Sequence, residues 1–372
     1  MWSMWLAEAQ TPSTDARVLI TDDTTGQNRA AVATVRALAR AGYHPAVTTA
    51  GDRSIAAASR FCELRVRVPR AGTPGYAEAL RAELASGRYA AALPASDLSL
   101  LAIGCPGAEL ANKVVAYERA QKADVPTLPW QVFESVQSVR ASADQLPYPV
   151  VIKAVEKTPD GDPQAHVIGG PDELEGRLGN GALIVQPYEE APLRAVSGVV
   201  WDGDFLALSH QRYLRLWPVR AGVGSSAVTV APDHELEEKL AVILKGHNGV
   251  FQAQFAGPYL IDLNPRVYGS LPLTIAAGAN LPAIACDAAL GRVQALVRAR
   301  PGVRYRWVEG DVRHLVHCWR AGQMSAAEAL RASRPRRRTA HSSESLLDPG
   351  PTFERLRYAA SKRSRRVQPN PA

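Results

Sequence analysis

The stretch QFAGPYLIDLNPRVYGS, Gln254 to Ser270, decides how this chain is to be read. Two short apolar runs flank Gly257-Pro258, the pattern of two strands joined by a turn. The second run carries Asp262 and Asn264, which lie two apart and so project from one face, while Ile261 and Leu263 point to the core. Gln254 joins them only if the register allows. A strict two-residue turn would pair Gln254 with Ile261, whereas a three-residue loop or a bulge sets it on the Asp262 face. The second arrangement is expected. One carboxylate with two amide oxygens is a hard-oxygen set suited to Mg²⁺, which keeps several waters and draws other ligands from phosphates. The competing reading is a polar strand end capped by water.

Two other strands carry residues out of character. Lys153 interrupts the apolar run Val150 to Val155, where an unpaired ammonium would be costly, so it needs either an anion or, on an edge strand, a route to solvent. In LIVQPYEE, Leu183 to Glu190, an apolar strand stops at a polar turn. Its free backbone groups suit a flat heterocycle, with Pro187 offering a C=O and Glu189 an N–H, or the strand simply runs into a loop. Lys113 follows Asn112, an N-cap residue type, and is less informative alone.

Around these features the chain divides in two. From Arg17 to Asp97 strands alternate with helical patterns: RVLIT, the helix AAVATVRALARAG, HPAVTTA, a helix-like RSIAAASRF, LRVRVP, a helix from Tyr76 to Ser86, and AAALPAS. That alternation predicts a parallel α/β domain with function at the strand C-terminal ends, beside loops 21–28 and 94–98. From about Leu110 the texture is α+β, with a hairpin expected at Asp202-Gly203. The expected divisions are an extension over 1–16, an α/β domain over 17–109, a small subdomain over 110–190, a large one over 191–300 with the metal site, and a basic segment over 301–372.

Composition narrows the chemistry. Cys62, Cys105, Cys286 and Cys318 form no CxxC or Cys/His cluster, which argues against a zinc site or disulfide framework and for a reducing, cytoplasmic setting. No dinucleotide fingerprint follows the first strand, no phosphate-binding GxxxxGK[ST] occurs, and the N-terminal apolar run is too short for a membrane span. From Arg292 onward 18 Lys/Arg face 6 Asp/Glu, so the formal charge of +7 belongs to the C-terminal part and the first 291 residues carry −5. Its runs RPRRR and SKRSRR lack interleaved aromatics, which favours a solvated face and a loose tail over a nucleic-acid surface.

Lysine strand, hinge strand, and a hairpin ending in D-x-N-P-R occur in the order of the ATP-grasp superfamily, which the chain resembles from about Arg17 to Arg292. The motifs that carry the resemblance are QFAGPYLIDLNPRVYGS and GSSAVTVAP, Gly224 to Pro232. It is most similar to carbamoyl-phosphate-synthase-like ATP-grasp domains and related carboxylate-amine ligases. The resemblance implies an ATP-grasp fold preceded by a parallel α/β domain, and an ATP-dependent ligase that joins a small carboxylic acid, such as an amino acid, to an amine through an acyl phosphate. Lys113 and Lys153 would contact ATP phosphates, and Gln186, Pro187, Tyr188, Glu189 and Glu190 would line the nucleotide pocket. Gln254, Asp262 and Asn264 would hold one or two Mg²⁺, with Mn²⁺ as a substitute. Arg266 would neutralise the transferred phosphoryl group. Arg212, Arg215, Arg220, Gly224, Ser225 and Ser226 would face the substrate.

The chain also departs from the family pattern. The phosphate loop KTPDGDPQ has one glycine and two aspartates, and no acid stands near Leu193 for the ribose, leaving Glu190 as a substitute. The rival enzyme reading activates bicarbonate or makes a carbamoyl phosphate. A third reading is a non-catalytic nucleotide- or nucleic-acid-binding protein. Residues 301–372 could cover the site, mediate a homodimer or trail in solvent.

Overall fold

The computed structural model describes residues 16–158, 164–174, 178–292, 295–336 and 338–367, with side chains through 361. Residues 1–15 of the extension expected over 1–16, the centre of the phosphate loop (159–163) and the side chains of KRSRR lie outside the described residues.

The N-terminal strands Leu64–Arg67, His44–Thr49, Arg17–Asp22 and Ala91–Leu93 form a parallel sheet in that order. Helix Arg29–Arg40 starts where the Asn28 side chain accepts the N–H groups of Ala30 and Ala31, and packs Val32, Val35 and Leu38 into the core. The segment RSIAAASRF is not helical; it makes turns. Its backbone is held from outside, since Ile55 N donates to Gly26 O and Arg60 N to the Asp348 carboxylate. Tertiary contacts override its helical propensity there.

A second sheet is antiparallel: Gln131–Phe133, Leu183–Pro187, Val150–Ala154, His166–Ile168. The largest sheet runs Tyr259–Asn264, Gly249–Ala256, Leu193–Trp201, Asp204–Trp217, Val223–Val230, Arg304–Arg306 and Thr339–His341. At its Asp202-Gly203 hairpin both turn residues have positive φ, 50° and 93°, as a type I′ turn requires. Phe251, Phe255, Leu240 and Leu260 fill the core beneath this sheet.

Part of the basic segment expected to be loose is built into the fold. Arg304–Arg306 and Thr339–His341 extend the large sheet. Asp348, buried, ties the segment to the first domain: it accepts from Arg36 Nε at 2.8 Å, Ser59 Oγ at 2.7 Å and Arg60 N at 2.9 Å. This latch precedes helix Gly350–Val367. Among the described residues no helix is long and apolar enough to cross a membrane.

Candidate active site

The hairpin register combines the two alternatives. The turn is the two-residue one, with Ala256 opposite Tyr259, but a bulge follows, so that Leu260 faces Phe255 while Asp262 faces Gln254. Ile261 is the extra residue. Gln254 and Asp262 thus share a face, and Gln252 opposite Asn264 continues it. The bulge also turns the Ile261 carbonyl into a hub, accepting from Lys153 Nζ and lying 2.7 Å from the Tyr117 hydroxyl.

Lys153 sits on an interior strand, not an edge, and is 8 % exposed. Its ammonium donates to Tyr117 Oη at 2.7 Å. Burial pushes its pKa down to about 7, with Lys113 adding to the fall and Asp262 opposing it. Lys113 opens helix Lys113–Lys122, where Asn112 caps by accepting from Val114 N at 2.9 Å, and it donates to Asp262 Oδ1 at 2.7 Å. Asn264 Nδ2 donates to Asp262 Oδ2 at 3.0 Å, and Arg266 donates to Asn264 Oδ1 at 2.9 Å. Burial opposes ionisation of Asp262, but Lys113, Lys153 and Lys157 outweigh it and hold the carboxyl well below the usual range.

The first domain supplies a residue that sequence reasoning missed. Asp97, buried at the start of helix Asp97–Ile103 behind its Ser96 cap, pairs with Arg266 Nε and with Lys157 Nζ at 3.1 Å. Burial is outweighed by Arg266, Lys157 and Lys113, so Asp97 too is held well below its ordinary pKa. Lys113, Lys153, Lys157 and Arg266 therefore surround two carboxylates, Asp97 and Asp262. The surplus is positive, and an anion with several oxygens would complete it.

Lys113, Lys153, Lys157, Asp262, Asn264 and Arg266 line a cleft of about 1090 Å³. Leu128, Val151, Leu193 and the hinge residues Gln186 to Glu190 line it too. Gln186 is buried, and its Nε2 has no hydrogen-bond partner among the described residues. Tyr188 N donates to Pro149 O at 2.8 Å, so that N–H is already used. Arg220, at φ 80°, lays its guanidinium 4.9 Å from the Tyr188 ring centre. Arg215 and Arg220 line the cleft. Arg212, Gly224, Ser225 and Ser226 do not. Arg212 points to solvent, Ser225 and Ser226 are buried in the strand, and Gly224 makes room for Tyr213, whose ring would lie 2.5 Å from an added Cβ.

Two missed residues had a signal in the sequence. Tyr117 is four residues after Lys113, hence on the same helix face, and Gln252 is two before Gln254. Asp97 lies in loop 94–98 and Lys157 opens the phosphate loop, so sequence indicated their segments but not their roles, and the cleft residues Trp307, Glu309, Arg313 and Arg355 had no signal.

The donor set fits a divalent cation in kind: Asp262, Asn264 and Gln254 offer hard oxygens on one face. No cluster of three His, Cys, Asp or Glu occurs among the described residues, and cations crowd the single carboxylate, so a metal here needs charge from a ligand's phosphates.

A family model described as ATP-grasp in the biosynthetic pathway with Ter operon matches residues 227–311. No curated protein sequence matches the chain significantly. Among solved structures, an L-amino acid ligase from Bacillus licheniformis is similar at 15 % identity and TM-score 0.55, over 76 % of each chain. An N5-carboxyaminoimidazole synthetase from Staphylococcus aureus, complexed with ADP, is similar at 12 % identity and TM-score 0.58, over 79 % of this chain and 83 % of that one. A biotin carboxylase from Campylobacter jejuni is similar at 14 % identity and TM-score 0.55, over 76 % of this chain and 72 % of that one. The chain has the ATP-grasp fold, preceded by a parallel α/β domain.

Proposed function

We propose that this protein is an ATP-dependent carboxylate-amine ligase that forms an amide or peptide bond through an acyl phosphate, its donor being an amino acid or other small carboxylic acid. The observation that carries the reading is the convergence of Lys113, Lys153, Lys157 and Arg266 on Asp97 and Asp262, at a cleft that Leu128, Val151 and Leu193 also line. The ADP complex of the Staphylococcus aureus synthetase supports the nucleotide part.

In this reading the adenine lies between Leu128, Val151 and Leu193, with the Pro187 C=O and Glu189 N–H at its edge. Lys113, Lys153 and Lys157 take the phosphates. Asp262, Asn264 and Gln254 hold one or two Mg²⁺, which supply charge neutralisation when bound; Mn²⁺ can replace them. The substrate carboxylate oxygen attacks the γ-phosphorus as the bond to ADP breaks. The amine nitrogen then attacks the acyl carbon, phosphate leaves, and the nitrogen gives up a proton. Arg266, clamped by Asp97 and Asn264, is preorganised beside the oxygens that gain charge. Positioning and electrostatics suffice, so no nucleophilic side chain is needed. Such chemistry belongs in the cytoplasm, where ATP is supplied.

The test is to incubate the protein with ATP, Mg²⁺ and pooled carboxylic acids and amines, following ADP and phosphate by mass spectrometry. Amine-dependent ADP release is expected. AMP formation, or no turnover with any pool, overturns the ligase reading, and ADP release driven by bicarbonate alone moves the protein to the carboxylase class.

A further inference from the structure

The C-terminal segment contributes Trp307, Glu309, Arg313 and Arg355 to the lining of the cleft. Two carboxylates on helix Val308–Arg320 are each shared by two arginines. Glu309 takes Arg355 Nε at 2.6 Å and Arg313 at 2.8 Å. Asp311, fully buried, takes Arg215 Nε at 2.5 Å and Arg306 Nε at 2.6 Å. A fifth arginine, Arg29 of the first domain, stacks 3.7 Å over the Trp307 ring. It donates only to hydroxyls, Tyr305 Oη and Ser342 Oγ, both at 3.3 Å, and makes no ion pair among the described residues. The charges of Glu344 and Glu309 also reach it. Of these groups Arg215, Arg313, Arg355 and Glu309 line the cleft, three guanidiniums to one carboxylate. The Trp307 indole N–H, buried in a residue 7 % exposed, has no hydrogen-bond partner among the described residues.

Each shared carboxylate leaves one guanidinium with unused donors, and a guanidinium fork matches a carboxylate better than any neutral group. Lys113, Lys153, Lys157 and Arg266 already supply cations for phosphates, and none of them pairs with Glu309 or Asp311 among the described residues, so these arginines are in excess of that need. We infer that the acid held in this cleft is a dicarboxylate, one carboxylate presented to the phosphoryl donor and the second bound by Arg355 and Arg313. The inference rests on the ligase reading and narrows its donor from any small acid to a dianionic one. The Asp348 latch, which fixes the start of helix Gly350–Val367 against the first domain, holds Arg355 in place for this task.

The test compares acids with their amide twins: succinate with succinamate, and L-glutamate with L-glutamine, titrated calorimetrically into protein saturated with AMP-PNP and Mg²⁺. At least tenfold tighter binding of one dicarboxylate than of its twin is expected. Arg355→Ala is expected to reduce that ratio below threefold with AMP-PNP affinity unchanged within twofold, and Arg313→Ala serves if the first variant does not fold. Twins binding equally, or no dicarboxylate binding, while AMP-PNP binds overturns this inference alone. Failure of AMP-PNP to bind overturns the ligase reading and the inference with it.

Discussion

Replacing Asp97 by asparagine removes a carboxylate while keeping its shape, and leaves Arg266 and Lys157 facing each other across a buried site. Asp97 is 6 % exposed in its side chain, Arg266 11 % and Lys157 29 %, so solvent screens these pairs little. At an effective dielectric constant of about 20, one pair at about 4 Å is worth roughly 4 kcal/mol. Removing one partner of a buried pair costs about 3–5 kcal/mol in practice. The loss here should reach about 3 kcal/mol, because Asp262 remains to neutralise part of the excess. The same argument predicts a rescue. If the surplus charge is there for phosphates, AMP-PNP should restore stability, and its stabilising increment should be larger for Asp97→Asn than for the native protein. Urea unfolding at pH 7, with and without saturating AMP-PNP and Mg²⁺, measures both quantities. A loss below about 0.5 kcal/mol, or an equal increment in both proteins, would refute the idea that Asp97 neutralises phosphate-binding cations.

Four further outcomes follow from the same geometry. Asp262→Asn should lower ADP release by about a thousandfold or more, the effect of about 4 kcal/mol in the barrier, with near-native circular dichroism; retained turnover would disprove its place at the metal. Lys153, with its pKa near 7 in the free protein, should gain a proton when phosphates arrive. Nucleotide binding at pH 8 should thus take up protons, seen as a buffer-dependent enthalpy that Lys153→Met abolishes. Burial raises Asp22 to about 7, above its unfolded value, so its contribution is fully present below pH 4 and is lost as pH rises towards 7. Asp22→Asn should flatten that slope, gaining relative to native by up to about 4 kcal/mol between pH 4 and 8, as chemical unfolding across pH would show. Asp348→Ala strands the Arg36 guanidinium and should cost about 3–5 kcal/mol, read as a lower urea midpoint.

The residues most legible in the sequence were those whose type contradicts their surroundings. Lys153 in an apolar strand and Asp262 beside Leu263 stand out because burying them needs a partner, and local periodicity says which face they share. The Asp202-Gly203 turn and the Asn112 cap are likewise local events, written in the residues that make them. Less legible were the relations between distant segments. Arg212 and Arg215 look alike in sequence, yet one points to solvent while the other reaches Asp311, 96 residues on.

By itself the sequence determined the order of lysine strand, hinge strand and polar hairpin, because each is fixed by alternation, capping or turn chemistry over fewer than about ten residues. Only the tertiary structure decided what completes the site. The bulge at Ile261 set the face of Gln254, and chain folding carried Asp97 from the first domain and the arginines of the C-terminal segment to one cleft. Charges interact through space, so a carboxylate 169 residues from Arg266 can govern it while leaving no periodic trace along the chain.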